Sequence, residues 1–144
     1  MSAEIAYLQD SLQQQDELLE LFEAQRRAFA ANPMPPAAQR QQWLKALQEL
    51  LNNERQALID AISQDFSNRS ADETLLAELM PSLHGIHYAS KHLKKWMKPS
   101  RRAVGLAFQP ASAKVVYQPL GVVGIIVPWN YPLYLCMGCL LYTS

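Results

Sequence analysis

From residue 115 to residue 144 the chain carries no charged side chain, and inside that stretch Gly121-Val-Val-Gly-Ile-Ile-Val127 runs straight into Pro128-Trp-Asn130. A run of apolar, mostly β-branched residues with no polar alternation suits a strand covered on both faces rather than one half-open to water. Pro128 and Pro132 forbid the run from continuing as an uninterrupted ladder or helix, because each lacks the backbone donor and fixes φ. The expected product is a buried strand that delivers one polar side chain, Asn130, at its end.

At 144 residues and 49% hydrophobic the chain has material for a globular core. Its 13 acidic and 13 basic residues cancel, but not locally. Residues 1–78 hold all 13 acids and 6 bases, a net of −7, and residues 79–144 hold 7 bases and no acid, a net of +7. Glu78 is the last carboxylate, so the sequence after it offers no general base beside Asn130. The N-terminus has neither the basic nor the apolar region of a secretory signal, so a cytoplasmic location is expected.

Before the apolar end the periodicity is helical. Ile5, Leu8, Leu12, Leu19 and Phe22 mark a first helix that ends before Asn32-Pro33, with Pro33, Pro35 and Pro36 as breakers. Trp43, Leu44, Leu47, Leu50 and Leu51 mark a second, in which Asn52-Asn53 is a kink or cap before Leu58, Ile59 and Ile62. A third is expected over 72–97, with Leu76, Leu79, Leu83, Ile86, Ser90, Leu93 and Met97 on one face, strained by Pro81. Asp72 and Glu73 at its start and Lys91, Lys94, Lys95 and Lys98 at its end follow the helix dipole, and Pro99 closes it. Residues 103–108 and 114–118 read as extended segments around a turn at 109–113.

Four functional readings compete on these residues. The uncharged end is long enough to span a bilayer, with a basic flank upstream, but Pro128, Asn130 and Pro132 fall near its middle, where lipid cannot satisfy the freed backbone. Gly121-x-x-Gly124 stands at the start of the run and not after it, the wrong place for a dinucleotide phosphate loop. The stretch from Lys91 to Arg102, with Trp96, has the charge for phosphate contacts, yet its lysines serve equally as the solvated side of a helix, and no nucleic-acid partner is expected. His84, His87, His92, Cys136 and Cys139 lack the spacing of a zinc site, the cysteines being read as lying across an extended region, so no metal is expected.

The run Tyr117-Gln-Pro-Leu-Gly-Val-Val-Gly-Ile-Ile-Val-Pro-Trp-Asn-Tyr-Pro-Leu133 resembles the aldehyde dehydrogenase superfamily, and His92-Leu-Lys-Lys-Trp-Met-Lys-Pro99 is similar to a helix end of its coniferyl-aldehyde and fatty-aldehyde branch. The resemblance covers the chain from about the second helix to about Gly138. It implies an α/β fold in which this chain is an N-terminal piece. Residues 1–138 would be part of a cofactor-binding domain, with N-terminal helices, a β-hairpin of the oligomerisation region at about 100–120, and the first strand of a Rossmann-like NAD-binding sheet.

The resemblance further implies oxidation of an aldehyde to the acid with NAD or NADP, through a cysteine nucleophile, in a homodimer or homotetramer. By it, Asn130 donates its amide to the developing oxyanion, while Ile126, Val127, Pro128 and Trp129 form an apolar wall beside the cofactor. On the residues alone, Asn130 reads equally well as a helix N-cap before Tyr131-Pro132. The family's lysine strand, glycine-serine-threonine turn, general-base glutamate and nucleophilic cysteine have no counterpart in this sequence, so the chain alone is expected to be inert. Residues 139–144 can be encoded by TGT CTC TTA TAC ACA TCT, a transposon-end adaptor, and are expected to be a non-native tail. An unpaired first strand is expected to expose apolar surface and aggregate. A helical interaction module and a membrane-anchored helical protein are the alternatives.

Overall fold

The structure, a computed structural model, describes residues 2–143, with side chains from Gln13 onward. The side chains of Ile5, Leu8 and Leu12, placed above in the first apolar stripe, lie outside the described residues. The chain divides into two compact units, Met1–Met34 with Leu120–Gly124, and Pro35–Pro119 with Ile125–Ser144.

The first unit is built on helix α1 (Ser2–Ala31). It stops where expected: Asn32 still donates to the Ala28 and Phe29 carbonyls at 3.2 Å, and Pro33 has no donor to continue the ladder. Leu18, Leu19 and Leu21 are exposed. Gly121 holds φ at +119°, a conformation in which an L side chain is strained, and its backbone passes close to the Phe29 ring.

The second unit carries the core. Helices α2 (Ala37–Asn53) and α3 (Arg55–Asp65) are nearly continuous, meeting at Glu54, so the Asn52-Asn53 pair marks a break as expected. A short helix α4 (Ala71–Thr74), a π-helical turn (Leu75–Leu79) and helix α5 (Met80–Trp96) then run on from one another. Leu51, Ile59, Ile62, Leu79, Ile86, Ala89 and Leu93 form the buried apolar core. Each such Leu or Ile contributes roughly 1.5–3 kcal/mol by leaving water.

The π-turn explains one departure from the expected helix face. Pro81 supplies no N–H to the Ala77 carbonyl, and the helix widens just upstream, so that Met80 donates five residues back to Leu75. One residue is thereby inserted into the repeat, and the inward face shifts. Leu76, expected inside, is 63% exposed, whereas Thr74 and Glu78 are fully buried. Trp43 and Leu50 likewise turn outward from α2, leaving Leu51 to the core.

Strands β1 (Ser100–Arg102) and β2 (Ala113–Val115) pair antiparallel, with Ser100 opposite Val115 and Arg102 opposite Ala113. The hairpin stands, but 103–108 is not its strand. Leu106–Phe108 is a 3-10 turn, with Phe108 bonded to Gly105 at 3.0 Å and Gln109 to Leu106 at 3.2 Å, so local bonds replace a ladder.

A second correction concerns the apolar run. Among the described residues 121–127 form no strand, and the sheet consists of β1 and β2 alone. Among the described residues the run takes part in no ladder, and Ile126 is 99% and Leu120 88% exposed. A third concerns the cysteines: Cys136 and Cys139 sit one helical turn apart on α6 (Pro132–Thr143), not in extended chain. That helix has 12 residues, and among the described residues no helix is long and apolar enough to cross a membrane.

Candidate functional site

The Pro128-Trp129-Asn130 turn enters α6 through Tyr131 and Pro132. Leu135 donates to the Tyr131 carbonyl at 3.1 Å, so Tyr131 occupies the N-cap position and Pro132 the first helical one, where a missing N–H costs nothing. The next two amides, of Leu133 and Tyr134, need outside acceptors. Both find one in Glu78: its Oε2 accepts from Leu133 at 2.7 Å and from Tyr134 at 3.2 Å. A carboxylate at a helix N-terminus is favoured both by the hydrogen bonds and by the dipole.

Glu78 is fully buried in the π-turn, and Arg69 accompanies it there. Arg69 Nη1 stands 3.1 Å from Glu78 Oε1 and donates to the Asn130 carbonyl at 2.9 Å, while Nη2 stands 3.1 Å from Glu73 Oε1. The guanidinium carbon lies 4.6 Å from the Tyr131 ring centroid and 5.2 Å from that of Phe66. The contacts to the two carboxylates are ionic rather than well-aimed hydrogen bonds, and Arg69 Nε has no partner. With Glu78 fully buried, removing Arg69 would leave that carboxylate without its ion pair, at a cost of about 3–5 kcal/mol, whereas removing Glu78 would leave Arg69 the half-exposed Glu73.

Arg69 reaches this position from a turn that the sequence did not advertise. Asn68 donates to Ser63 at 2.8 Å and Ser67 to Gln64 at 3.4 Å, the paired bonds of a Schellman ending to α3, and Ser67 and Asn68 take φ of 54° and 81°. The chain thereby reverses and sends Arg69 inward.

Two expectations change on this geometry. The carboxylate thought absent from the motif is present, since Glu78 comes from 55 residues upstream of Leu133, but it is occupied as a helix cap. Asn130 is not the N-cap of α6, because Tyr131 holds that position and Glu78 takes the amides. The remaining candidates stand open: Ile126 is 99% and Trp129 85% exposed, Pro128 and Asn130 are exposed, and Val127 is half-buried. Arg69 and Glu78 were missed as residues of the site. The available signal was a lone glutamate inside Leu75-Leu-Ala-Glu-Leu79, an apolar stretch that gives a carboxylate no reason to be there.

His92 Nδ1 lies 2.8 Å from the Tyr88 carbonyl, and its ring stacks with Trp96 at 5.7 Å between centroids, which accounts for one histidine of the supposed metal set. No group of His, Cys, Asp or Glu among the described residues could hold a metal ion. A groove of about 270 Å³ runs between α5 and α6, lined by Gly85, Tyr88, Trp96 and Met137 among others.

Comparison with known proteins gives a consistent pattern. The model of the aldehyde dehydrogenase family matches residues 3–142. A protein of Pseudomonas aeruginosa named probable coniferyl aldehyde dehydrogenase is 72% identical over 138 residues, which cover 96% of this chain and 29% of that protein. The coniferyl aldehyde dehydrogenase of a Pseudomonas species is 44% identical over 94 residues, 65% of this chain and 19% of that protein. Human aldehyde dehydrogenase family 3 member B1 is 39% identical over 112 residues, 78% of this chain and 24% of that protein. The chain thus spans less than a third of the length of these curated relatives.

Proposed function

Because the chain belongs to the aldehyde dehydrogenase family, we propose that it is the N-terminal part of an NAD- or NADP-dependent enzyme that oxidises an aldehyde to the carboxylic acid. Aromatic aldehydes such as coniferyl aldehyde are the favoured substrates on this reading, with fatty aldehydes second, since the relative at 72% identity is named for the former. The observation that carries the proposal is the fixed turn at Pro128-Trp129-Asn130, gripped by Arg69 through its backbone while Asn130 itself is exposed.

In this role Asn130 donates its amide to the oxygen of the aldehyde as a cysteine thiolate of the remaining chain adds to the carbonyl carbon. A neutral donor held in place stabilises charge that appears only as the reaction proceeds. The nicotinamide of NAD or NADP, when bound, would supply the hydride acceptor, and water would then release the acid. Ile126, Val127, Pro128 and Trp129 fit the apolar wall beside it, being apolar and largely uncovered. The run 121–127 becomes the first strand of the nucleotide-binding sheet once a parallel neighbour supplies its hydrogen bonds. Residues 1–138 then form part of the cofactor domain, the β1–β2 hairpin belongs to the oligomerisation region of a homodimer or homotetramer, and the enzyme works in the cytoplasm.

The test is a graft in which residues 1–138 replace the matching part of the Pseudomonas aeruginosa relative. The graft should form NADH from coniferyl aldehyde, whereas the 144-residue chain alone should form none. In the graft N130A should lower kcat by about 10²–10³. An Asn130 variant with full kcat removes the oxyanion role, and NADH formation by the chain alone removes its inertness.

A further inference from the structure

The amide of Asn130 can act only if the backbone beneath it is fixed, and its exposed side chain receives no such fixing from its own surroundings. Arg69 and Glu78 both hold this turn. Arg69 donates to the Asn130 carbonyl at 2.9 Å and lies against the Tyr131 ring, on one side of the turn. Glu78 accepts from Leu133 and Tyr134 at 2.7 and 3.2 Å, on the other. The two are joined to each other at 3.1 Å and are almost wholly buried.

A helix start is ordinarily capped by its own neighbouring polar side chain, for which Asn130 is the local candidate. Here a buried glutamate 55 residues away performs that task at Leu133, and the Asn130 side chain is exposed rather than used as the cap. We propose that Glu78 and Arg69 are positioning residues: they take over the capping of α6 and lock the Asn130 carbonyl, which frees the Asn130 amide and aims it at the aldehyde oxygen. This deepens the oxyanion reading above and rests on it.

The informative variant is E78Q, which keeps the shape and one acceptor but loses the charge that caps α6 and pairs with Arg69; Glu78→Ala would in addition open a hole beside Arg69 and leave it only Glu73 as a charged partner. In the 144-residue chain, amide hydrogen exchange read on the peptide holding Leu133 and Tyr134 should accelerate about 10- to 100-fold in E78Q, the loss of a charge-assisted hydrogen bond. Unchanged exchange there overturns the proposal. In the graft, E78Q should lower kcat by about 10- to 100-fold with KM for aldehyde and cofactor held, as misplacement of a catalytic group does. The same change made on N130A should alter kcat by less than about twofold, because the group being aimed is already gone. Equal losses in both backgrounds, or full activity in E78Q, overturn it. If N130A alone keeps its kcat, the oxyanion reading fails and this proposal falls with it; if N130A is impaired and E78Q is not, the positioning role alone falls.

Discussion

Ser67 shows how much of the site depends on one unlabelled residue. It sits at φ 54°, where a side chain costs roughly 1–2 kcal/mol and glycine costs little, yet it provides the reversal that sends Arg69 to Asn130. S67G should therefore raise stability by about 0.5–1 kcal/mol, after the extra chain entropy of glycine is subtracted, read as a higher urea midpoint. A lower midpoint would mean that the serine side chain contributes more than its strain. The sequence pointed to Asn130 because a proline–tryptophan–asparagine turn after an apolar run is a local pattern. Arg69 and Glu78 were invisible because their partners are 61 and 55 residues distant, and no local periodicity encodes such a meeting.

At the level of elements, breakers were legible and register was not. Asn32-Pro33, Asn52-Asn53 and Pro99 each fall at or within a few residues of a helix end, because a missing donor or an unfavoured backbone acts locally. Upstream of Pro81, Leu79 is buried as expected but Leu76 is not, because the π-turn inserts a residue that a 3.6-residue repeat cannot anticipate. The run at 121–127 was read correctly as apolar and unpaired but wrongly as a strand already buried on both faces, since both the ladder and the cover depend on a neighbour outside the segment. Helix α6 packs on α5 through Gly85, where a Cβ would stand 3.1 Å from Leu141 Cδ1. G85A requires only a small shift of that flexible tip, whereas G85L should displace α6. Faster hydrogen exchange over 135–143 in G85L, with G85A close to the parent, is the expected pair of results.

Taken whole, the chain leaves large apolar groups in water: Leu106 91%, Leu120 88%, Ile126 99% and Trp129 85% exposed. Such surface is unusual on a stable monomer, so the purified chain should bind a hydrophobic dye and associate as its concentration rises. The graft should do neither if partner strands cover the same residues. A dye-silent, monodisperse 144-residue chain would contradict the reading of 121–127 as a strand awaiting its sheet. The bond from Glu78 to Leu133 also imposes an order of events, because its halves leave the ribosome 55 residues apart. At about 5–20 residues per second, Glu78 leaves the ribosome roughly 3–11 s before Leu133 arrives to donate to it. Throughout that interval Glu78 lacks the two amides of α6, and Arg69, beside Glu73 and Phe66, lacks the Asn130 carbonyl. The nascent helices thus wait with a charged pair still hydrated at their centre, and it dries only when the turn that it will hold arrives.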